Sequence, residues 1–405
     1  MVDLDRRGFL GRGAALIGCS VAAHPLMTSV TLAAAPWDAR LVVIILRGGM
    51  DGLAVVQPVG DPDYAQARAG MIASGDAPPI PLDGFYAMHP ALAPLKPLWD
   101  RGQLAFAHAV STPYRNKRSH FDGQDMLEAG TGMDVAAGRM RDGWLNRMLQ
   151  TVPGVEGRTA FVVGRERMKI LEGRAPVAHW SPDAALDLNG QARLLLEEVY
   201  RGDPLFDRAA RQAIELAGAA LGDDGTPRSA AVTEALTRRG GGSTVALAAF
   251  AAEQLYRDTR IASFSLSGWD THRDQGRNLP RALGDLADVI EALRAGLGPV
   301  WDKTTVLAMT EFGRTARENG NDGTDHGTGG AMLMAGGAVR GGRVHGRWPG
   351  LSEAELFDRR DLMPTGDVRG YAAWAMRSLY GIDRGRLTGD IFPGLDLGED
   401  PGLIL

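Results

Sequence analysis

The chain has 405 residues, 44% of them hydrophobic and 23% charged, which suits one large globular domain and excludes a disordered or fibrous chain. Its formal net charge of −5 gives no general attraction to nucleic acid or anionic lipid. No apolar run approaches the ~18 residues expected of a membrane span.

The first 35 residues read as an export signal. "DRRGFLGRGAALIG" places Arg6 and Arg7 before Phe9, Leu10 and a weakly apolar run, which resembles a twin-arginine signal. Asp5 stands where Ser or Thr is usual. "TLAAAPW" offers small residues for cleavage after Ala35. The alternative is a basic N-terminus with no targeting role. The one cysteine, Cys19, lies in "LIGC", which also looks like a lipoprotein cleavage box and would carry a lipid anchor. Cleavage after Ala35 leaves no cysteine, hence no disulfide, as suits an oxidising periplasm. The expected location is periplasmic or extracellular.

"RLVVIIL" (Arg40 to Leu46) is a short, continuous, Val/Ile-rich run that ends in glycines, the pattern of a strand buried on both faces. "QLAFAHAVS" (103–111), "RIASFSLSGWD" (260–270) and "TTVLAMTE" (304–311) repeat it, and "GAMLMAGG" (330–337) is a candidate fifth. Between the third and fourth runs, residues 279–298 place Leu283, Leu286, Ala287, Ile290, Leu293 and Leu297 on one helical face, which predicts a β-α-β crossover. Helices are expected over 192–202, 207–221, 243–256 and 369–382. No internal repeat or long linker interrupts the pattern. The fold class is therefore α/β, a mostly parallel sheet flanked by helices, in one domain over 36–405 with a helical insertion at about 185–255.

Each strong strand runs into residues that bind metals or act as nucleophiles. Asp51 follows the first, Asp270 and His272 the third, Glu311 the fourth. Asp325 and His326 lie beyond it in "TEFGRTARENGNDGTDHGTGG", which holds six glycines. Ligands of open α/β sheets bind at the carboxyl ends of strands, and divalent ions take carboxylate and imidazole ligands. Each residue also has a plain structural reading. Asp51 would serve as a turn aspartate, and Asp270 or Thr271 as a helix cap. Glu311 would pair with Arg314 or Arg317 at the surface, and the glycine-rich stretch would be a surface loop. His345 is a weaker ligand candidate. His89, His108 and His179 read as packing or surface histidines. After the second strand, "STPYRNKRSHFDGQDMLEAG" reads as a basic loop and a helix start, with Ser119 at the cap. Ser119 there is either a cap or a nucleophile, with Arg115, Lys117 and Arg118 supplying charge for an anion.

Together the twin-arginine start, "LRGGMDGL", "RSHFDGQDMLEAG", "WDTH", "TEFGRT", "DHGTGG" and "GGAVRGGRVHG" resemble an exported bacterial family, domain of unknown function 1501. That family is grouped with the alkaline phosphatase-like superfamily, which includes sulfatases and cofactor-independent phosphoglycerate mutases. The resemblance implies a doubly wound sheet with a divalent metal site (zinc, calcium, magnesium or manganese) at its carboxyl edge. It implies metal ligation by Asp51, Asp270, His272, Glu311, Asp325 and His326, with Ser119 as nucleophile and Arg115 and Arg118 as anion clamps. "DTH" is shorter than the superfamily's usual Asp-His spacing, and Glu311 stands where the "DH" pair usually follows a strand. The function so implied is an exported hydrolase of small-molecule or polymeric phosphate or sulfate esters. The alternative is a non-catalytic exported binding protein on the same fold. A dehydrogenase is disfavoured, because "RGGMDG" lacks the three-glycine dinucleotide turn.

Overall fold

The computed structural model describes residues 37–73, 77–115, 118–133, 140–157, 159–164, 168–180 and 242–405. The expected export signal, Cys19, Lys117, the expected helices at 192–202 and 207–221, and most of the expected insertion at 185–255 lie outside them.

Among the described residues, nine strands form the main sheet. They are β1 (Arg40–Leu46), β2 (Leu104–Ser111), β3 (Ala160–Val163), β4 (Ala178–Trp180), β5 (Ile261–Leu266), β6 (Thr304–Met309), β7 (Gly330–Ala335), β8 (Arg343–His345) and β9 (Gly366–Asp367). Their order is β8-β2-β7-β6-β1-β5-β3-β4, with β9 also on β2. β1 pairs in parallel with both β5 and β6. β7 alone runs the other way, antiparallel to both β2 and β6. Eight strands therefore end at one rim, and β7 begins there.

The strand sequences explain the layering. Alternate side chains of a strand point to opposite faces. In β1, Val42, Ile44 and Leu46 join one core with Val306, Ala308, Leu333 and Phe106. Leu41, Val43 and Ile45 join a second core with Leu307, Met309, Met332 and Met334. Two apolar faces need two covers, so a continuous apolar strand implies helices on both sides. The first core is closed by α3 (Gly242–Tyr256) and α4 (Gln275–Leu297), the second by α2 (Trp144–Gln150) and α5 (Val368–Tyr380). α4 starts four residues earlier than its periodicity suggests and buries Leu279, Leu283, Leu286, Ile290, Leu293 and Leu297. Its cap is Asp274, so neither Asp270 nor Thr271 has that task. A short three-stranded sheet, Val56–Gln57, Ala87–Met88 and Ile80–Pro81, lies beside the main one. No helix among the described residues is long and apolar enough to cross a membrane.

The stretch from β6 to β7 folds back on itself because its glycines allow close backbone approach. A Cβ at Gly313 would lie 1.9 Å from the Gly329 carbonyl oxygen, and one at Gly327 would lie 2.3 Å from the Arg314 carbonyl. The Gly313 amide donates to the Thr328 carbonyl and the Gly327 amide to the Gly313 carbonyl.

His108, on β2, is fully enclosed between Tyr86 and Trp348. Its Nε2 donates to the Val56 carbonyl at 2.8 Å, and its Nδ1 accepts the Ala109 amide at 2.8 Å. Burial holds the imidazole neutral down to a pKa of about 4. The unfolded chain binds this proton near pH ~6.5. The resulting stability is complete above pH ~6.5 and is lost as pH falls toward about 4. Urea unfolding across this window should show His108 contributing a slope of about 1.4 kcal/mol per pH unit. That component should be missing from a His108→Gln variant.

Candidate metal centre

Four chain segments meet at the rim. The β5 end supplies Asp270 and His272, the β6 end supplies Glu311 and Arg314, and the approach to β7 supplies Asp325 and His326. The loop after β2 leads into α1 (His120–Ala129), whose first residue is His120. β7 explains why the "DH" pair sits opposite Glu311. A parallel strand would have begun at the far edge and carried Asp325 and His326 away.

Three imidazoles surround the Asp270 carboxylate. His272 Nε2 lies 3.2 Å and His326 Nε2 3.3 Å from Oδ1, and His120 Nε2 lies 3.4 Å from Oδ2. One donor atom each from His120, Asp270 and His326 falls within 4.8 Å of the other two. His120 Nε2 is buried and has no hydrogen-bond partner.

The opposite ring nitrogens are all anchored. His120 Nδ1 meets Glu311 Oε1 at 2.8 Å, and His272 Nδ1 meets Asp325 Oδ1 at 3.1 Å. His326 Nδ1 meets the Arg118 carbonyl at 2.8 Å. A carbonyl only accepts, so His326 Nδ1 carries a proton and its Nε2 holds a lone pair when the ring is neutral. Burial favours that neutral form, since it lowers the His326 pKa. The hydrogen bond to Glu311 raises that of His120. Phe312 stacks on His120, with centroids 5.1 Å apart, and lies tilted against His326 at 4.9 Å.

These distances fit a shared cation better than a set of ion pairs. Charge-assisted N–H···O bonds are ~2.7–2.9 Å long. Neighbouring donors on a tetrahedral ion with ~2.0–2.1 Å bonds lie ~3.3–3.4 Å apart. The spacings of Asp270 to His326, 3.3 Å from Oδ1, and to His120, 3.4 Å from Oδ2, match the second value, and His272 lies outside the group whose donor atoms all fall within 4.8 Å of one another. The remaining contact of Asp270 is of the first kind, with Arg314 Nη2 at 2.5 Å from Oδ1. Burial pushes the Asp270 carboxyl upward, but Arg314 outweighs it and the pKa ends low. The Asp270 side chain is 48% exposed, which leaves the cluster open to a ligand from solvent.

Glu311 is fully buried, not a surface acid. Its Oε1 accepts from His120, from Gln124 Nε2 at 3.1 Å and from the Gly48 amide at 2.9 Å, while Oε2 accepts from Thr310 Oγ1 at 3.0 Å. Burial raises its pKa, and these bonds more than offset that. Asp325 is set by Asn319 first and His272 second, and its pKa is lowered. Arg314 lies inside the molecule. Its guanidinium donates to the carbonyls of Gly48, Gly49, Trp269 and Thr324 as well as to Asp270.

Asp51 is on the same rim but is engaged elsewhere. Both carboxylate oxygens receive the Arg68 guanidinium, at 2.5 and 2.9 Å, and Gln275 Nε2 adds a third bond at 2.6 Å. Asp51 is therefore held by a buried arginine and not by the imidazole cluster.

Ser119 caps α1. Its hydroxyl accepts the Asp122 amide at a long 3.4 Å, and its own amide donates to the Tyr114 hydroxyl at 2.8 Å. Arg118, just before it, has φ +51°, a conformation that costs energy in a non-glycine residue and that aims its carbonyl at His326. The Arg118 guanidinium is 4.0 Å from Asp361. Arg115 turns Nη1 onto Ser111, Thr112 and Tyr114, and lies over the Phe357 ring. A cleft of about 20 Å³ beside His326 is lined by Tyr114, Arg115, Arg118, Phe312, Thr328 and Phe357.

The sequence reasoning did not single out His120, Arg68 or the buried role of Arg314. His120 had a readable signal, because it follows the cap serine and so must emerge at the same rim. Arg68 had none.

No curated protein sequence matches the chain. Among solved structures it is similar to the C-terminal periplasmic domain of EcEptC from Escherichia coli, at 10% identity and a TM-score of 0.38, over 94% of this chain and 96% of that one. It is also similar to the lipoteichoic acid synthase LtaP from Listeria monocytogenes, at 9% identity and a TM-score of 0.37, over 90% and 79%. A third is alkaline phosphatase from the Antarctic bacterium TAB5, at 11% identity and a TM-score of 0.31, over 75% and 92%. A family model matches residues 101–369, a stretch that includes the whole imidazole cluster but neither Asp51 nor Arg68. The chain belongs to the family described as protein of unknown function (DUF1501).

Proposed function

We propose that this chain is an exported, metal-dependent hydrolase of phosphate or sulfate esters. The observation that supports it is the convergence of two anchored imidazoles, His120 and His326, on Asp270, with one donor atom of each residue within 4.8 Å of the other two. His120, His326 and Asp270 would hold the ion, with His272 beside Asp270, and a set of two nitrogens and one carboxylate favours zinc, manganese or iron over calcium or magnesium. Glu311 and Asp325 then orient His120 and His272 in place of binding directly. When bound, the ion supplies a Lewis acid that lowers the pKa of a nearby oxygen.

The chain's own residues divide the rest of the work. Ser119, at the start of α1 and only weakly held through its hydroxyl, attacks phosphorus or sulfur in line. The alcohol leaves, and water cleaves the serine ester in a second step. The α1 N-terminus favours the anionic group. Arg118 and Arg115 flank the cleft and neutralise its non-bridging oxygens. Export through the twin-arginine signal in residues 1–35, or anchoring at Cys19, belongs to the same reading.

A second reading is a binding protein without turnover. The withdrawal of Asp51 into its pair with Arg68 favours it, because one carboxylate fewer faces the cluster. The two readings separate on Ser119→Ala. Hydrolysis requires kcat on an aryl phosphate or sulfate to fall at least about 10³-fold with metal content unchanged. Binding without turnover requires a wild type that holds metal or anion but hydrolyses neither ester.

Elemental analysis of the purified protein should find close to one transition-metal ion per chain, and Asp270→Asn or His326→Ala should remove it. Glu311→Gln should keep the ion but weaken its affinity about 10–100-fold, as measured by competition with a chelator. A wild type that carries no ion after export and binds none from solution overturns the proposal.

A further inference from the structure

The Asp51 network contains a cation that belongs to the chain itself. Arg68 is 1% exposed and makes four hydrogen bonds to oxygen. Nη1 and Nη2 hold the two Asp51 oxygens, Nε donates to the Ala316 carbonyl at 2.8 Å, and Nη2 donates to the Thr315 carbonyl at 3.0 Å. Met71 Sδ lies 3.5 Å from Arg68 Nη1 and from Gln275 Nε2. One carboxylate and two carbonyls surround the guanidinium with four oxygens, the ligand type that a hard divalent ion takes. Here a guanidinium stands in its place.

The cage is tied to the imidazole cluster through Gln275. While Nε2 of that residue donates to Asp51, its Oε1 accepts the hydroxyls of Thr271 at 2.8 Å and Thr324 at 2.7 Å. Thr271 precedes His272, and Thr324 precedes Asp325, the carboxylate that anchors His272. Carbonyls of Thr315 and Ala316 fix the strand-like segment just beyond Arg314. The position of the His272–Asp325 pair thus depends on Asp51, and that of Asp51 on Arg68.

We infer that Arg68 is a built-in cation: it fills an oxygen cage that would otherwise take a second divalent ion, and by filling it positions the His272 and Asp325 loops. This rests on the reading of His120, His326 and Asp270 as a cation site. A guanidinium stays charged at every working pH and cannot be extracted by a chelator. The rim therefore takes one exchangeable ion, and its guanidinium cations, Arg68 on Asp51 and Arg314 on Asp270, are permanent.

The test is cation rescue of Arg68→Ser, with thermal unfolding and zinc affinity as readouts. In chelator the variant should melt at least about 5 °C below wild type, and with zinc alone should bind it about 10-fold more weakly. Millimolar calcium should raise its melting temperature and restore most of the zinc affinity. Calcium should leave wild type unmoved, and should not rescue Asp51→Asn/Arg68→Ser, a double variant that retains the fold without the buried charge. The inference is overturned if calcium and manganese both leave Arg68→Ser where it was, or if Arg68→Ser fails to fold with calcium present while the double variant folds. The wild-type zinc measurement keeps the two proposals apart. A wild type without zinc binding defeats the hydrolase reading, while the calcium response of Arg68→Ser still decides whether the cage exists.

Discussion

A single buried guanidinium holds the rim together. Arg314 reaches from the end of β6 to carbonyls at the end of β1, to Trp269 and Asp270 at the end of β5, and to Thr324 before the "DH" pair. Moving an arginine out of water is costly unless each of its donors is met and its charge is balanced. Here four carbonyls and one carboxylate do both. The cost of leaving any of them unpaired keeps three loops of different origin in one arrangement. Asp270 is turned by this contact toward the imidazoles, so the geometry of the cluster follows from the geometry of Arg314.

The second constraint is direction. Parallel strands deliver their carboxyl ends to one edge, which accounts for Asp51, Asp270 and Glu311. It does not account for Asp325 and His326, which precede a strand. Only the reversal of β7 between β2 and β6 brings them to the same edge. The glycines at 313 and 327 are what that reversal requires, since there the two arms of the connection touch through backbone atoms. The glycine-rich stretch that could have been a surface loop is in fact a tight structural return.

Much of this was legible in the sequence because much of it is local. Five apolar runs became β1, β2, β5, β6 and β7, since a strand covered on both faces needs a continuous apolar run and little else does. The amphipathic face of α4 and the serine cap of α1 were readable for the same reason. The antiparallel sense of β7 was not, because "GAMLMA" looks the same in either direction. Arg68 and Arg314 were not either. Their partners are 10 to 266 positions away, and no periodicity or short motif marks a residue whose role is set by such distant contacts. The plain reading of Glu311 as a surface acid failed on burial alone, a property of the tertiary fold. His120 shows the intermediate case, in which the local signal existed and the neighbouring serine drew the attention.

The three imidazoles differ in how exposed their anchors are to evolutionary change. His120 leans on Glu311 and His272 on Asp325, so one base change in either codon can loosen a ring. His326 leans on the main chain of Arg118. No side-chain replacement at 118 deletes that oxygen. Divergence among relatives should therefore erode the carboxylate-held pair first, and the last imidazole to lose its orientation should be the one whose support is part of the polypeptide itself.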